Sequence, residues 1–169
     1  MTVMLVTILA GLAASTARAA LLELISKLRV THVDMIKTIG TLYHGEYYHS
    51  LMRGYVTHYI FGLVSAFTYL FLLSVFQPAT IASSAAYGAL IGFFHGCVVS
   101  YTLTVIVDED HPLKEFRNYG YEVAIYYWVA QILFGLVMGA IVGTPNLEAM
   151  KKGERCFDKS VVNINSLAI

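Results

Sequence analysis

Arg18, Glu23, His58 and His95 stand inside long apolar stretches of this 169-residue chain, with Gln131 as a neutral companion. Ionisable side chains in hydrocarbon are costly and mark polar paths, proton relays or interhelical hydrogen bonds. A second group of chemically able residues lies between the stretches. His44, Glu46 and His49 are in one segment, and Asp108, Glu109, Asp110 and His111 in another. Glu46-x-x-His49 has the spacing by which helical di-iron sites place two ligands on one face. Imidazole with carboxylate suits Zn, Fe or Mn. A full site of that kind needs a second such motif, and none is present; His44 and His49 are also five apart, unlike HExxH. The run 108–110 is equally accounted for as the charged end of a span, with Pro112 blocking further helix. No nucleophile–base pair, phosphate loop or dinucleotide motif occurs, so the chain is read as non-enzymatic.

Composition says what must hold these residues. The chain is 57% hydrophobic and 13% charged, with mean hydropathy +0.65. A soluble domain carries about 25% charged residues, so the deficit points to a membrane. The net charge is zero, which leaves no basic surface for nucleic acid. Cys97 and Cys156 are isolated and form neither a disulfide framework nor a zinc motif. A spanning helix needs about 20 mostly apolar residues. Four segments qualify: 1–26, 55–76, 84–107 and 123–143. Together they make a four-span domain, 1–145, and leave a polar tail, 146–169. Ala17-Arg18-Ala19 resembles a signal-peptidase site, but a basic n-region is missing and the arginine would occupy the cleavage site, so the first segment is read as a span. Lys27 and Arg29 follow that span closely, which leans toward the segments 27–54 and 108–122 being cytoplasmic.

Gly88, Gly92 and Gly96 in the third segment, and Gly135, Gly139 and Gly143 in the fourth, recur every four residues, with Gly11 and Gly62 in the first two. Residues four apart share a helix face, and small faces let helices approach closely in lipid. The expected fold is all-α, a membrane-embedded four-helix bundle. The sequence also suggests two tandem hairpins. Ile60-Phe61-Gly62-Leu63-Val64 parallels Leu133-Phe134-Gly135-Leu136-Val137, which sets His58 against Gln131. Overlaying the first and third spans sets Gly11, Ser15 and Ala19 on Gly88, Gly92 and Gly96, and Arg18 on His95. Between spans one and two, Thr31 and Asp34 form a capping box for a short interfacial helix, His32 to Ile39, stopped by Gly40. Tyr43, Tyr47, Tyr48, Tyr55 and Tyr59, with Tyr119, Tyr121, Tyr126, Tyr127 and Trp128, read as an aromatic belt.

Helix rise sets depths. His58 lies about 5 Å below the loop side, Arg18 and Gln131 at about 10–12 Å, and His95 at about 18 Å. A haem b held between His58 and His95 would need its two axial ligands at one height, which a separation of about 13 Å opposes. The expected partners of Arg18 are a carboxylate or backbone carbonyls, and Glu23 is expected to pair with His58.

The residues Ala10-Gly11-Leu12-Ala13-Ala14, His58 to Gly62, Ala86-Tyr87-Gly88 and His95-Gly96 are similar to small four-span prokaryotic membrane proteins of uncharacterised function. The fourth span departs from that pattern, with Gln131 where a histidine is expected. The resemblance implies a prokaryotic cytoplasmic-membrane location and carries no activity. The leading expectation is a non-catalytic accessory subunit of a multi-subunit membrane complex, of respiratory or other redox type by its size, packed through glycine faces against other subunits and lipid. One alternative is a small homo-oligomeric transporter or channel with a polar path through Arg18, Glu23, His58 and His95. Another is a metal- or haem-binding membrane protein using His44, Glu46, His49, Asp108, Asp110 and His111. No cofactor is required by the leading reading.

Overall fold

The computed structural model describes residues 3–28, 34–42, 49–117 and 120–143. Within these residues the protein is all-helical. The helices are α1 (Val3–Lys27), α2 (Met35–Leu42), α3 (Ser50–Phe76), α4 (Ile81–Asp110) and α5 (Tyr121–Val142), with a 3₁₀ turn at Lys114–Phe116. Helices α1, α3, α4 and α5 are long and apolar enough to cross a membrane. Their side chains are sorted as lipid demands. Phe61, Val64 and Phe71 of α3, and Leu90, Phe94 and Val98 of α4, point outward and are more than half exposed. The interior is lined by small residues and by a few aromatic and polar groups. This is a membrane-embedded protein.

Local chemistry sets the helix ends. Gln77 adopts φ 45°, and its N–H reaches the Leu73 carbonyl to close α3 just before Pro78. Thr80 and Ser83 form a reciprocal capping box at the start of α4. The short helix differs from expectation. It spans Met35–Leu42 and is capped by Asp34, whose Oδ1 accepts from the Lys37 N–H at 3.1 Å; Thr31 lies outside the described residues. Gly40 does not stop it. A Cβ there would lie within 2 Å of the Ser50 carbonyl oxygen, and one on Gly54 would meet the Ile36 carbonyl as closely. Residue 40 therefore faces 50 while 36 faces 54, so α2 runs antiparallel against the start of α3. That contact also extends α3 back to Ser50.

Among the four long helices, α4 and α5 form the most extensive pair, α1 packs on α5, and α3 packs on α1. The inner helices are α1 and α5, each with 44% of its apolar window buried, against 22% for α3 and 28% for α4. The glycines explain the closeness. A Cβ on Gly88 would sit 2.2 Å from the Gly135 carbonyl oxygen, and one on Gly135 would sit 2.1 Å from that of Gly88. Gly139 and Gly143 abut Ser84, while Gly92 and Gly96 abut Gln131. The first hairpin repeats this at lower density: Gly11 meets Ala66 and Gly62 meets Ser15. Under the internal alignment, the contacts of Gly11 with Gly62 and Ala66 correspond to those of Gly88 with Gly135 and Gly139. All eight glycines expected to pack helices are thus occupied within the chain. Tyr127, expected in the aromatic belt, is 5% exposed and sits in a cluster with Leu22, Val123 and Ala130. The tail 146–169 lies outside the described residues.

The facing glycines give a graded test. Gly135→Ala puts a methyl group onto backbone, and overpacking costs about 1–3 kcal/mol. A rigid carbonyl places it at the upper end, above the roughly 1 kcal/mol that alanine gains in helix propensity. Gly120→Ala meets nothing within 4 Å; it lies at the N-cap of α5, where alanine is poorer than glycine, and should cost no more than about 1 kcal/mol. Denaturant unfolding in detergent micelles should separate the two variants; equal stabilities would contradict the α4–α5 interface.

Candidate functional site

The small-residue faces that bring the spans together also enclose polar groups. On α1 the buried face runs Ala10, Gly11, Ala14, Ser15, Arg18 and Leu22. On α3 it runs Ser50, Gly54, His58, Gly62, Ala66, Tyr69 and Leu73. Helix periodicity puts each set in one stripe, so His58 and Tyr69, eleven residues apart, look the same way. Opposite them α5 presents Gln131 and Phe134, and α4 presents His95 beside Gly96.

Arg18 is the centre. Its residue is 7% exposed. Nη1–H donates to Gln131 Oε1 at 2.6 Å and Nη2–H donates to His58 Nδ1 at 3.1 Å. A guanidinium has donors only, so Nδ1 of His58 must accept. The ring proton is then on Nε2, which donates to the Ser15 carbonyl at 3.1 Å. Because Arg18 takes the Gln131 oxygen, the amide nitrogen faces the other way. It donates to His95 Nδ1 at 3.1 Å, with Tyr69 Oη 3.3 Å from the same ring nitrogen and 3.5 Å from the amide. The Phe134 ring lies under the guanidinium, its centroid 5.5 Å from Cζ, a distance suited to cation–π attraction. One polar network therefore joins all four spans.

Its charge is unbalanced. Among the described residues the expected carboxylate partner of Arg18 is not there, and side-chain nitrogen and oxygen acceptors take its place. Glu23 does not pair with His58; it bonds Lys27 at 2.8 Å on the exposed end of α1. Among the described residues the ion pairs are that one and Asp34–Lys37, both at the surface. Arg18 Nε and Ser15 Oγ are buried without a hydrogen-bond partner. His58 and His95 approach opposite ends of the guanidinium–amide bridge, so the space between their rings is filled and they do not form an axial pair for a haem.

A cleft of about 270 Å³ leads toward this network. It lies between α1, α2 and α3. Its lining runs from the surface groups Glu23, Asp34 and Lys37, which form its mouth, past Tyr55 to the buried Leu22 and His58.

The loop residues are dispersed by comparison. His111 is fully buried: Nδ1 accepts the Leu113 N–H at 3.0 Å, and Nε2 lies 3.1 Å from both the Thr41 hydroxyl and the Thr38 carbonyl. It fastens the end of α4 to α2, with Phe116 against its ring and Arg117 on its carbonyl, so it is no longer available as a metal ligand. Asp108 and Glu109 line a shallow cleft with Thr104, Gly120 and Tyr121, while Asp110 ends α4. His49 is exposed at the start of α3, and His44 and Glu46 lie outside the described residues. Among the described residues, no three His, Cys, Asp or Glu side chains converge as a metal site.

Arg18, His58, His95 and Gln131 are thus brought together and Glu23 is not. Tyr69 was missed, although the stripe 54, 58, 62, 66, 69 pointed to it. The internal alignment also has a counterpart here: it equates Arg18 with His95 and His58 with Gln131, and the bond Arg18–His58 corresponds to the bond His95–Gln131. Comparison with protein-family models, curated proteins and solved structures yields no match.

The network makes Gln131 the keystone. Gln131→Leu strands Arg18 Nη1, and an unmet buried hydrogen bond to a charged group costs about 3 kcal/mol. Gln131→Glu supplies the absent carboxylate and should match or exceed the parent in thermal unfolding. A leucine variant as stable as the parent would show that the bridge contributes nothing.

Proposed function

We propose that the protein is a small self-associating transporter or channel whose polar path runs from Glu23 at the cleft mouth through His58 and Arg18 to Gln131 and His95. One observation carries the reading: a buried guanidinium with no carboxylate partner among the described residues, connected by hydrogen bonds across all four spans and approached by a cleft. A charge at the bilayer centre costs about 2.5–3.5 kcal/mol on insertion scales. A helix-bracing role alone does not call for that cost. Fixed charges and pore-lining donors are the means by which narrow paths select among solutes.

An accessory-subunit role drew part of its support from glycine faces left over for partners. Those glycines are engaged inside the chain, so that support falls away. We place the protein in a prokaryotic cytoplasmic membrane on the strength of the sequence resemblance, with the cleft opening on the side that the basic residues Lys27 and Arg29 assign to the cytoplasm.

The test is flux in proteoliposomes, measured for anions, protons and potassium, with native-gel sizing of the same preparation. Purified protein should run as a homomer and conduct at least one of these species. Arg18→Ala should lower that flux at least about tenfold, a transition-state change of about 1.4 kcal/mol, while keeping the oligomer. Absence of any flux, or stoichiometric foreign chains in the native band, would defeat the proposal.

A further inference from the structure

We propose that the Nε–Nη2 edge of Arg18 is a binding edge for a small planar oxyanion of the carboxylate class, which enters through the cleft between α1, α2 and α3 and displaces the His58 ring. The inference rests on the reading of the Arg18 cluster as a transport site and names what that site takes.

The guanidinium has two usable edges. Gln131 Oε1 holds Nη1 at 2.6 Å, the shortest bond of the network. The other edge carries Nε and Nη2, whose N–H groups point the same way and match the two oxygens of a carboxylate in fork-to-fork geometry. That edge has at most one acceptor. Nη2 has the His58 ring at 3.1 Å, while Nε is buried with no partner. A neutral imidazole offers one lone pair to an edge built for two acceptors. A planar oxyanion would satisfy both donors and balance the charge, which no acidic side chain among the described residues does.

The route agrees with this. His58 forms the inner wall of the cleft and is the group that stands on the edge. At the mouth, Glu23 and Asp34 are each paired with a lysine, at 2.8 and 2.9 Å. The carboxylates at the entrance are therefore paired, and the buried charge met on going inward is that of Arg18. A fixed positive charge in a low-dielectric path admits anions and opposes cations and protons. A halide would be attracted as well, but as a point charge it cannot span both donors. Bidentate geometry is what selects the oxyanion.

The probe is sodium formate, with sodium chloride at equal ionic strength as the control, added to the purified full-length protein labelled with 15N-arginine. The Arg18 Nε–H signal is assigned by its loss in Arg18→Lys. Formate should shift that signal saturably and chloride should not. His58→Ala removes the competing acceptor and should tighten formate binding about tenfold, the worth of one charge-assisted hydrogen bond. Arg18→Lys keeps the charge but loses the fork, so formate should no longer raise its thermal stability. Size-exclusion profiles verify that both variants are folded, and the His58→Ala result stands without the other. A signal unmoved by formate, an equal response to chloride, or unchanged affinity in His58→Ala would overturn the inference. Formate binding without flux in liposomes would leave the oxyanion edge standing and remove transport. Proton or potassium flux with no formate binding would do the reverse.

Discussion

A guanidinium held between membrane-spanning helices, with no counter-ion among the described residues, is the constraint around which this protein is arranged. Arg18 has five N–H donors and no acceptor, and lipid offers it nothing. The surrounding groups therefore present lone pairs: an amide oxygen from α5 and an imidazole nitrogen from α3. Each choice propagates. Taking the Gln131 oxygen turns its amide toward His95, and taking His58 Nδ1 places the ring proton against the Ser15 carbonyl. One charged residue thereby orients polar groups on every span.

That arrangement works only because the helices approach closely. Apolar side chains gain little by leaving lipid for one another, so packing depends on surfaces that fit. Along α4 and α5, Gly88, Gly92, Gly135 and Gly139 stand where a Cβ would collide with backbone of the other helix. In the first hairpin, Gly11 and Gly62 abut side chains instead, the Ala66 methyl group and the Ser15 hydroxyl. The two hairpins make corresponding contacts in both the small-residue stripe and the polar pair. They are not equal in chemistry: the first contributes the charge and the cleft, and the second contributes the amide that ties them together.

Outside the spans, polar residues serve to hold elements in place. His111 locks the end of α4 to α2 through Nε2, while Nδ1 accepts the Leu113 N–H of the turn that follows α4. Helix α2 in turn lies antiparallel to the start of α3 and forms one wall of the cleft that ends at His58. Among the described residues, none from the loops enters the buried network.

The sequence by itself determined the membrane class, the helical fold and the identity of four polar residues. Hydrophobic length, glycine spacing and the cost of intramembrane polarity are local properties that can be read along a chain. It pointed to Tyr69 only through its place in the stripe with His58. It did not determine partners. From depth alone Glu23 seemed matched to His58, yet Glu23 points to the surface and bonds Lys27, because depth along a helix says nothing of the face on which a side chain lies. His111 looked like a ligand and became a staple, since only the fold brings Thr38 and Thr41 to its ring. The glycine triplets could have faced any neighbour, and tertiary structure turned them toward each other. The reason is the same in each case: which faces meet depends on the rotation of rigid helices about their axes, which is set by all contacts together and by no single segment.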